Sequence, residues 1–290
     1  MFGSQLQKRH LCSLRRILGV KNTTANWPVL RECGQDPLQF GWFKAVVKLY
    51  NSMLESNSET LRKALKADIY LSSSDVSCWS AQVSQSFRGL RGADVFQQSM
   101  KRAAKIPVQA FVSDLRYRQQ AVWREAAGKS PREVNKKVVT YQSWCACPLF
   151  AARRFPYPIP MYLFKDLDRR VMQNVSRFRL RAHHLRNESC KWLGGSNICD
   201  RCECNEVQDE KHVLFFCTCA ELCALRLKYK DLFADLFKPL HAFAQPSESG
   251  FIPFLACHHS VADAEVNAFL NHDSIRTSRF VSDLVSIFDG

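Results

Sequence analysis

The stretch that decides the fold of this chain is Cys199-Asp-Arg-Cys202, followed after nine residues by His212-Val-Leu-Phe-Phe-Cys217. The pattern is C-x2-C-x9-H-x4-C, and three thiolates with one imidazole are the ligand set of a closed, tetrahedral structural zinc site. Four protein ligands leave no open position for water, so we expect one zinc ion that acts through folding and not through catalysis.

A reduced, metal-free cluster of thiols is the alternative to a zinc site. The chain has 13 cysteines, so one C-x-x-C pair is unsurprising, and further thiols crowd the motif at Cys204, Cys219 and Cys223. A histidine followed by a cysteine at ligand spacing is harder to obtain by accident, and it favours the metal.

Two consequences of a zinc site can be predicted from the neighbouring residues. Zinc should pin the Trp192–Asn205 loop against a helix that begins near Glu221. Asp209 and Glu210 lie just before His212, and we expect one of them to hydrogen-bond the free ring nitrogen of that histidine. Ordinary solvated surface acids are the alternative for both.

Positive charge is concentrated ahead of the metal motif. The formal net charge is +14. Residues 1–149 contain 23 Lys and Arg against 10 Asp and Glu, residues 150–191 contain 10 against 3, and residues 192–290 contain 8 against 14. A basic region of this size suits a polyanion such as RNA or DNA. A merely solvated basic surface is the alternative, because charge alone does not specify a ligand.

The basic residues just before the motif are the predicted nucleic-acid contacts, because arginine forks bind phosphate well. These residues are Arg169, Arg170, Arg177, Arg179, Arg181, Arg186 and Lys191. We expect at least one of them to pair instead with Asp166, Asp168 or Glu188.

The composition is that of a globular chain, with 46% hydrophobic and 11% aromatic residues. No apolar run approaches the ~20 residues of a membrane span, and the N-terminus lacks the apolar core of a secretory signal. An odd number of cysteines together with a Cys/His cluster favours a reducing compartment. The expected location is therefore nuclear or cytoplasmic, without membrane association.

Apolar residues at helical spacing predict an all-α fold, a helical bundle followed by a small zinc knuckle and C-terminal helices. Helix starts are expected at Asn26, at Ser56 with Glu59 as a capping box, at Pro107 and at Ser130. The residues that mark the helical faces are Leu11, Leu14, Ile17, Leu18, Phe40, Phe43, Val47, Tyr50, Trp79, Val83, Phe87, Phe111, Leu115, Val138, Tyr141, Leu163, Leu167, Val171, Phe178, Leu222, Leu225, Tyr229, Phe269 and Leu284.

Five segments are expected along the chain. Residues 1–56 and 57–147 are two helical regions. Four prolines forbid a regular helix over residues 148–160, which are predicted to form a linker. Residues 161–236 combine a basic helix with the zinc module, and residues 237–290 form a helical tail.

The motif and its surroundings resemble the zinc-binding region that lies behind the polymerase in reverse transcriptases of non-LTR retrotransposons. The resemblance rests on Arg177-Phe-Arg-Leu-Arg181, Trp192, the C-x2-C pair, Asp209-Glu-Lys-His212 with Leu214 and Cys217, and Arg226-x-Lys-Tyr229. Upstream, Arg15–Val20, Trp27–Gly34 and Pro37-Leu38 look like the segment just after the polymerase palm. The resemblance covers roughly residues 14–54 and 165–235.

The resemblance implies a role in holding nucleic acid, since this region of such elements is thought to help hold template RNA or target DNA during target-primed reverse transcription. Carried over residue by residue, it implies Cys199, Cys202, His212 and Cys217 as metal ligands, and the polymerase portion of a parent protein as a partner. The interval between Cys202 and His212 is longer than the family pattern, so Cys204 is an alternative ligand.

The chain also departs from the family. Polymerase chemistry needs aspartates that gather two metal ions, and the Asp-Asp pair that the family places in a short hairpin is missing from the sequence. Gln245-Pro246-Ser247-Glu248 lacks the Pro-Asp of the endonuclease that follows in some relatives. We therefore expect a non-catalytic tail, either a fragment of a decayed element or a separately encoded piece.

The predicted function is that of a zinc-stapled nucleic-acid-binding tail of a retrotransposon-type reverse transcriptase. The alternative is a zinc-stapled protein-interaction module that does not bind nucleic acid. A Cys-His hydrolase is disfavoured, because the sequence contains no recognisable pattern of nucleophile, base and orienting group.

Overall fold

The computed structural model describes residues 5–88, 93–127, 136–145, 159–236, 261–272 and 275–289. It divides into two compact units: residues 1–8 with 36–134, and residues 9–35 with 135–290. Residues 9–35 therefore group with the C-terminal part of the chain, and not with the remainder of the predicted segment 1–56.

The described part of the chain is mostly helical and contains no strand, which confirms the predicted all-α fold. The α-helices are α1 (Gln5–Leu18), α2 (Asn26–Glu32), α3 (Leu38–Leu54), α4 (Glu59–Leu71), α5 (Trp79–Arg88), α6 (Ala93–Lys101), α7 (Val108–Ala127), α8 (Lys136–Thr140), α9 (Arg169–Arg179), α10 (Arg186–Leu193), α11 (Ala220–Lys228), α12 (Lys230–Leu236), α13 (Asp263–Leu270) and α14 (Ile275–Asp289). Two π-helices span Tyr141–Cys145 and His212–Phe216, and a 3-10 turn spans Met161–Leu163.

Aromatic side chains from four helices form the core of the first unit. Phe43 stacks on Phe87 with ring centroids 4.4 Å apart, and Phe87 lies 4.5 Å from Phe96 and 5.2 Å from Phe111. These four rings come from α3, α5, α6 and α7 and are buried. Their contacts hold the helices together. The sequence pattern predicts Phe43, Phe87 and Phe111 on helical faces, whereas Phe96 is not part of that prediction.

α2 begins at Asn26, as predicted, but the predicted capping residues of α2 and α4 were wrong by one or two positions. Ser58, and not Ser56, caps α4, because its hydroxyl accepts the backbone N–H of Leu61. Ala25 occupies the cap position of α2, while the side chain of Asn26 accepts a hydrogen bond from Arg15.

The predicted helix through Leu163 and Leu167 begins later, at Arg169, where the Asp168 carboxylate accepts the N–H of Arg170. Ile17, expected in the core, is 53% exposed. The predicted start at Ser130 and most of the predicted linker lie outside the described residues.

A buried ion pair between Arg179 and Glu32 lies inside the second unit. Arg179 Nε is 2.5 Å from Glu32 Oε1, and the two side chains are 2% and 0% exposed. The hydroxyls of Tyr141 and Tyr162 donate to the same carboxylate at 2.7 and 2.6 Å. The charge of Glu32 is therefore neutralised and hydrogen-bonded at both oxygens, as a buried carboxylate requires.

The remaining donors of Arg179 join further segments of the unit. Its Nη2 donates to the carbonyl of Cys145, at the end of the first π-helix, at 2.9 Å. Its Nη1 donates to the carbonyl of Leu270, at the end of α13, at 2.7 Å. The guanidinium group of Arg179 thus connects α9 with α2, the first π-helix and α13.

The electrostatic effects of this network keep each member in its bonded form. Burial, the largest single effect, opposes the charge of Arg179, but Glu32 together with Cys145, Tyr162 and Tyr141 raises the pKa of the guanidinium above its ordinary value. Burial, and then the Glu32 carboxylate, raise the pKa of Tyr141 and Tyr162. Both phenols therefore remain protonated donors at neutral pH.

We expect Glu32→Gln to lower the free energy of unfolding by about 3–5 kcal/mol, because the buried Arg179 would lose its counter-charge. Urea-induced unfolding followed by circular dichroism measures the change. Glu59→Gln is the control, since the ion pair of Glu59 with Lys63 is exposed, and its effect should stay below about 1 kcal/mol. Equal losses in the two variants would contradict a central role for the buried pair.

Candidate metal centre

The four predicted ligands converge at one place in the second unit. One ligand atom from each of Cys199, Cys202, His212 and Cys217 lies within 4.8 Å of all the others. Cys199, His212 and Cys217 are buried, and Cys202 is partly exposed. The structure thus contains a Cys3His cluster that could hold a metal ion.

The distances within the cluster fit a tetrahedral ion. Two sulfurs bound to one tetrahedral zinc at about 2.3 Å would lie about 3.8 Å apart. The sulfurs of Cys199 and Cys217 are 3.8 Å apart. Cys202 Sγ is 3.3 Å from His212 Nε2, close to the roughly 3.5 Å expected for a sulfur and a nitrogen on the same ion. The donor set and its spacing therefore suit zinc.

The first two ligands are presented by a short turn. Ile198 and Val207 form an isolated antiparallel bridge, and the N–H of Cys199 donates to the carbonyl of Glu206 at 2.7 Å. Asn205 closes the turn at φ +53°, a left-handed conformation that asparagine tolerates better than most residues. The result is a tight hairpin that points Cys199 and Cys202 toward the cluster.

A π-helix brings the other two ligands together. His212 and Cys217 are five residues apart, and the N–H of Cys217 donates to the carbonyl of His212 at 2.8 Å. This i to i+5 bond belongs to a π-helix, whereas an α-helix would bond residue 216 to His212. The π-turn therefore places side chains at H-x4-C spacing on the same side.

Arg226 fixes the end of this π-helix. The side chain is 2% exposed and comes from α11. Its Nη1, Nε and Nη2 donate to the carbonyls of Cys217, Leu214 and Val213 at 2.8, 3.0 and 3.2 Å. Carbonyls near the C-terminal end of a helix need donors from outside it, and Arg226 supplies them here and so positions Cys217.

The imidazole of His212 is oriented by Glu206. Nδ1 lies 3.1 Å from Glu206 Oε2, while Nε2 faces Cys202. The prediction that Asp209 or Glu210 fills this role was wrong. Asp209 accepts the backbone N–H of His212 instead, and Glu210 pairs with a different histidine, as described below. The hairpin, and not the preceding residues in sequence, brings the orienting carboxylate to the ring.

The environment favours a neutral imidazole, which is the form that binds metal. Burial lowers the pKa of His212 below its ordinary value, against the opposing effect of the Glu206 carboxylate. Gln208 adds a second supporting contact, since its amide Nε2 donates to the sulfur of Cys199 at 3.3 Å. Hydrogen bonds of this kind hold a ligand in place and tune its donor strength.

Cys204 lies outside the cluster. Its side chain is exposed, and its sulfur is 3.6 Å from Thr218 Oγ1. Within the described residues, the group that could hold a metal contains Cys199, Cys202, His212 and Cys217 only. The geometry therefore gives no support to Cys204 as a replacement ligand.

The predicted nucleic-acid residues occupy different environments. Arg169 and Arg170, at the start of α9, are exposed and form no ion pair with a described residue. Arg177 donates through Nε to the carbonyl of Gly19 at 2.9 Å and lies 3.4 Å from the Asp289 carboxylate.

Two further predicted contacts are paired at the surface. Arg186 Nη2 is 2.5 Å from Asp200 Oδ2, and Lys191 Nζ is 2.8 Å from Glu188 Oε1. Both cations remain partly exposed. Their charges are partly neutralised, because an acidic group lies within ion-pair distance of each.

The prediction was wrong for Arg179 and Arg181, because both are buried in ion pairs and cannot face a nucleic acid. Arg181 Nε is 2.7 Å from Glu210 Oε1, and its Nη2 is 3.5 Å from Glu188 Oε1. His183 Nε2 also lies 2.8 Å from Glu210 Oε1. The expected pairing of one basic residue with Glu188 is present.

Arg181 also ends α9. It lies at φ +52°, a conformation more usual for glycine, and the next residue donates its N–H to the carbonyl of Arg177 at 2.8 Å. This pattern is a Schellman motif. The ion pairs with Glu188 and Glu210 offset the cost of placing a non-glycine residue there.

Sequence reasoning missed three residues of the centre: Arg226, Glu206 and Gln208. One signal was present for Arg226, because it follows Leu222 by four residues and precedes Tyr229 by three on the apolar face of α11. An arginine on such a face is expected to be buried and bonded. Glu206 and Gln208 gave no comparable signal, since their roles depend on the hairpin.

None of the helices in the described part of the chain is both long and apolar enough to cross a membrane. No protein family, curated protein or solved structure matches this chain.

We expect the reduced protein to bind one equivalent of metal and to lose it in Cys199→Ser or Cys217→Ser. A chelator should melt the second unit, because the free energy of metal binding contributes directly to folding. Elemental analysis measures the first effect, and circular dichroism the second. Cys204→Ser is the matched control and should retain the metal. An unchanged fold in chelator would contradict a structural metal.

Glu206→Gln should weaken metal binding by about ten- to a hundredfold, because the ring of His212 would lose its carboxylate partner. Competition with a chromophoric chelator measures the affinity. Glu203→Gln, an exposed acid in the same hairpin, is the control. If both variants bind equally well, the orienting role of Glu206 is wrong.

Proposed function

We propose that this chain is the zinc-stapled, nucleic-acid-binding tail of a reverse transcriptase of the non-LTR retrotransposon type. In this role it helps to hold template RNA or target DNA and does not catalyse a reaction itself. The polymerase portion of a parent protein is its proposed protein partner. The single observation that carries the proposal is the convergence of the four side chains that the resemblance implies as ligands.

The proposed metal is one structural zinc ion, held by Cys199, Cys202, His212 and Cys217. When bound, zinc would supply cross-linking of the chain and not a reactive group, because four protein ligands close its coordination. An ion pair within the protein also links the two segments that zinc would cross-link. Arg201 pairs with Glu221 at 3.1 Å and so links the hairpin to α11.

Charge supports a nucleic-acid partner. Residues 1–191 contain 33 Lys and Arg against 13 Asp and Glu, a balance that attracts a polyanion. In the second unit the surface best suited to phosphate is the exposed pair Arg169 and Arg170, because neither residue forms an ion pair with an acidic group among the described residues. We call this pair the α9 arginine surface.

A protein-interaction module is the second candidate, and one observation favours it. Leu193, at the end of α10, is 81% exposed, and Leu227 on α11 is 48% exposed. An apolar protein contact would remove these side chains from water. Such an interface would respond little to salt, because it depends on burial and not on ion release.

Salt dependence tests the proposal. Binding of fluorescein-labelled RNA and DNA should weaken steeply as salt rises, since each phosphate contact releases counterions. Arg169→Gln/Arg170→Gln should reduce the slope of log K against log salt by about 1.5 to 2. Fluorescence anisotropy between roughly 50 and 200 mM salt measures both quantities.

Lys230→Gln/Arg279→Gln provides the matched control, because it removes the same charge from two exposed positions of the same unit. It should leave the slope within about half a unit of the parent value. A binding affinity that is flat in salt, or equal effects of the two double variants, would refute the α9 arginine surface. A flat response would also favour the protein-interaction module.

A further inference from the structure

A polar groove lies between three helices of the first unit. It has a volume of about 720 Å³ and runs between the end of α4, α5 and α6. Its lining is mixed. The polar members include Tyr70, Gln82, Gln85, Gln97 and Lys101, and apolar side chains such as Ile69, Val76 and Met100 complete it. We call this feature the polar groove.

Tyr70 lies at the rim of the groove, and its ring stacks on no other ring among the described residues. It is 81% exposed, in contrast to the buried rings of the core. Its position at the last turn of α4 fixes the backbone, so the ring is presented by a rigid element. An unpaired base can stack on a flat, exposed ring of this kind, and the backbone that carries the ring is already ordered before binding.

Two cations continue from Tyr70 along the same helix face. Arg62, Lys66 and Tyr70 are spaced by four residues, so they lie in a row on α4. Both cations are exposed, and neither forms an ion pair with a described residue. Lys63, on a neighbouring face, differs because it pairs with Glu59 at 2.9 Å.

The lining of the groove suits the edges of bases. The amides of Gln85 and Gln97 each offer both donors and acceptors, and Gln82 uses its Nε2 on the carbonyl of Ser77 at 3.0 Å. Lys101 adds a further exposed cation, and the described lining contains no acidic residue.

The two acidic residues near the groove, Asp68 and Asp75, accept backbone hydrogen bonds. The carboxylate of Asp68 accepts the N–H groups of Trp79 and Ser80 at the start of α5. Asp75 accepts the N–H of Ser77. Neither carboxylate belongs to the described lining of the groove.

We propose that the polar groove binds single-stranded nucleic acid, with Tyr70 stacking on a base while Arg62, Lys66 and Lys101 contact phosphates. An acidic protein segment would also match the charge. Charge attraction alone, however, would not involve the exposed ring of Tyr70 or the amides beside it, whereas a nucleotide base can stack on the ring and bond to the amides. The inference rests on the proposed function for its class of ligand only, since the α9 arginine surface belongs to the other unit.

The test measures binding of the full chain to a labelled 12-nucleotide oligouridylate by fluorescence anisotropy. Tyr70→Ala should weaken binding about tenfold, since it removes a stacked base, and Tyr70→Phe should restore it to within about twofold. Lys66→Gln should reduce the salt slope by about 0.7, the value for one contact on a single strand. Lys63→Gln is the matched control and should change neither quantity. The exposed position of Tyr70 means that these changes leave the fold intact, which circular dichroism verifies.

Two comparisons separate the outcomes. A duplex DNA of the same length should be insensitive to Tyr70→Ala, because its bases are already paired. If Tyr70→Ala binds oligouridylate like the parent protein, the groove proposal is overturned, even where Arg169→Gln/Arg170→Gln lowers affinity and upholds the proposed function. If polyglutamate binds and Lys66→Gln weakens it while Tyr70→Ala has no effect on either ligand, the groove is a surface for acidic protein and the proposal also fails.

Discussion

The contact between Arg179 and Glu32 is the constraint on which the second unit depends. It joins residues 147 positions apart in sequence, and both partners are removed from water. A buried charge without its partner is strongly unfavourable, so the segments that carry Arg179, Glu32 and their tyrosine donors have to assemble together. The unit therefore draws a short early stretch of the chain, residues 9–35, into a body otherwise formed by the second half.

The features that the sequence predicts correctly depend on residues close together along the chain. The ligands of the metal centre are specified by residue type and spacing, and apolar residues at helical spacing, such as Trp79, Val83 and Phe87, indicate part of the core of the first unit. The partners of Arg179 and Arg181 could not be read in this way, because the acids that they meet are set by tertiary packing. The same limit applies to Glu206, which is oriented toward His212 by a hairpin whose turn has no strong signal. Helix starts shifted because more than one nearby residue, such as Ser56 and Ser58, is able to cap.

Arginine has two distinct uses in this chain, and burial separates them. Arg179, Arg181 and Arg226 bind carboxylates or backbone carbonyls inside the second unit, where each fixes the position of an element. Arg169 and Arg170 remain at the surface. Net charge therefore overstates how much of the basic stretch is open to a polyanion. The density of arginine before the metal motif reflects the architecture of the unit as well as any ligand.

The π-helix between His212 and Cys217 links helix type to the length of the chain between two ligands. An α-helical turn would bring together positions four apart, and a π-turn brings together positions five apart. A homologue that lacks one residue in this interval could keep its metal-binding geometry by winding the segment as an α-helix. The deletion of a single residue is thus more tolerable here than between Cys199 and Cys202, where the ligands lie in a turn and not in a helix.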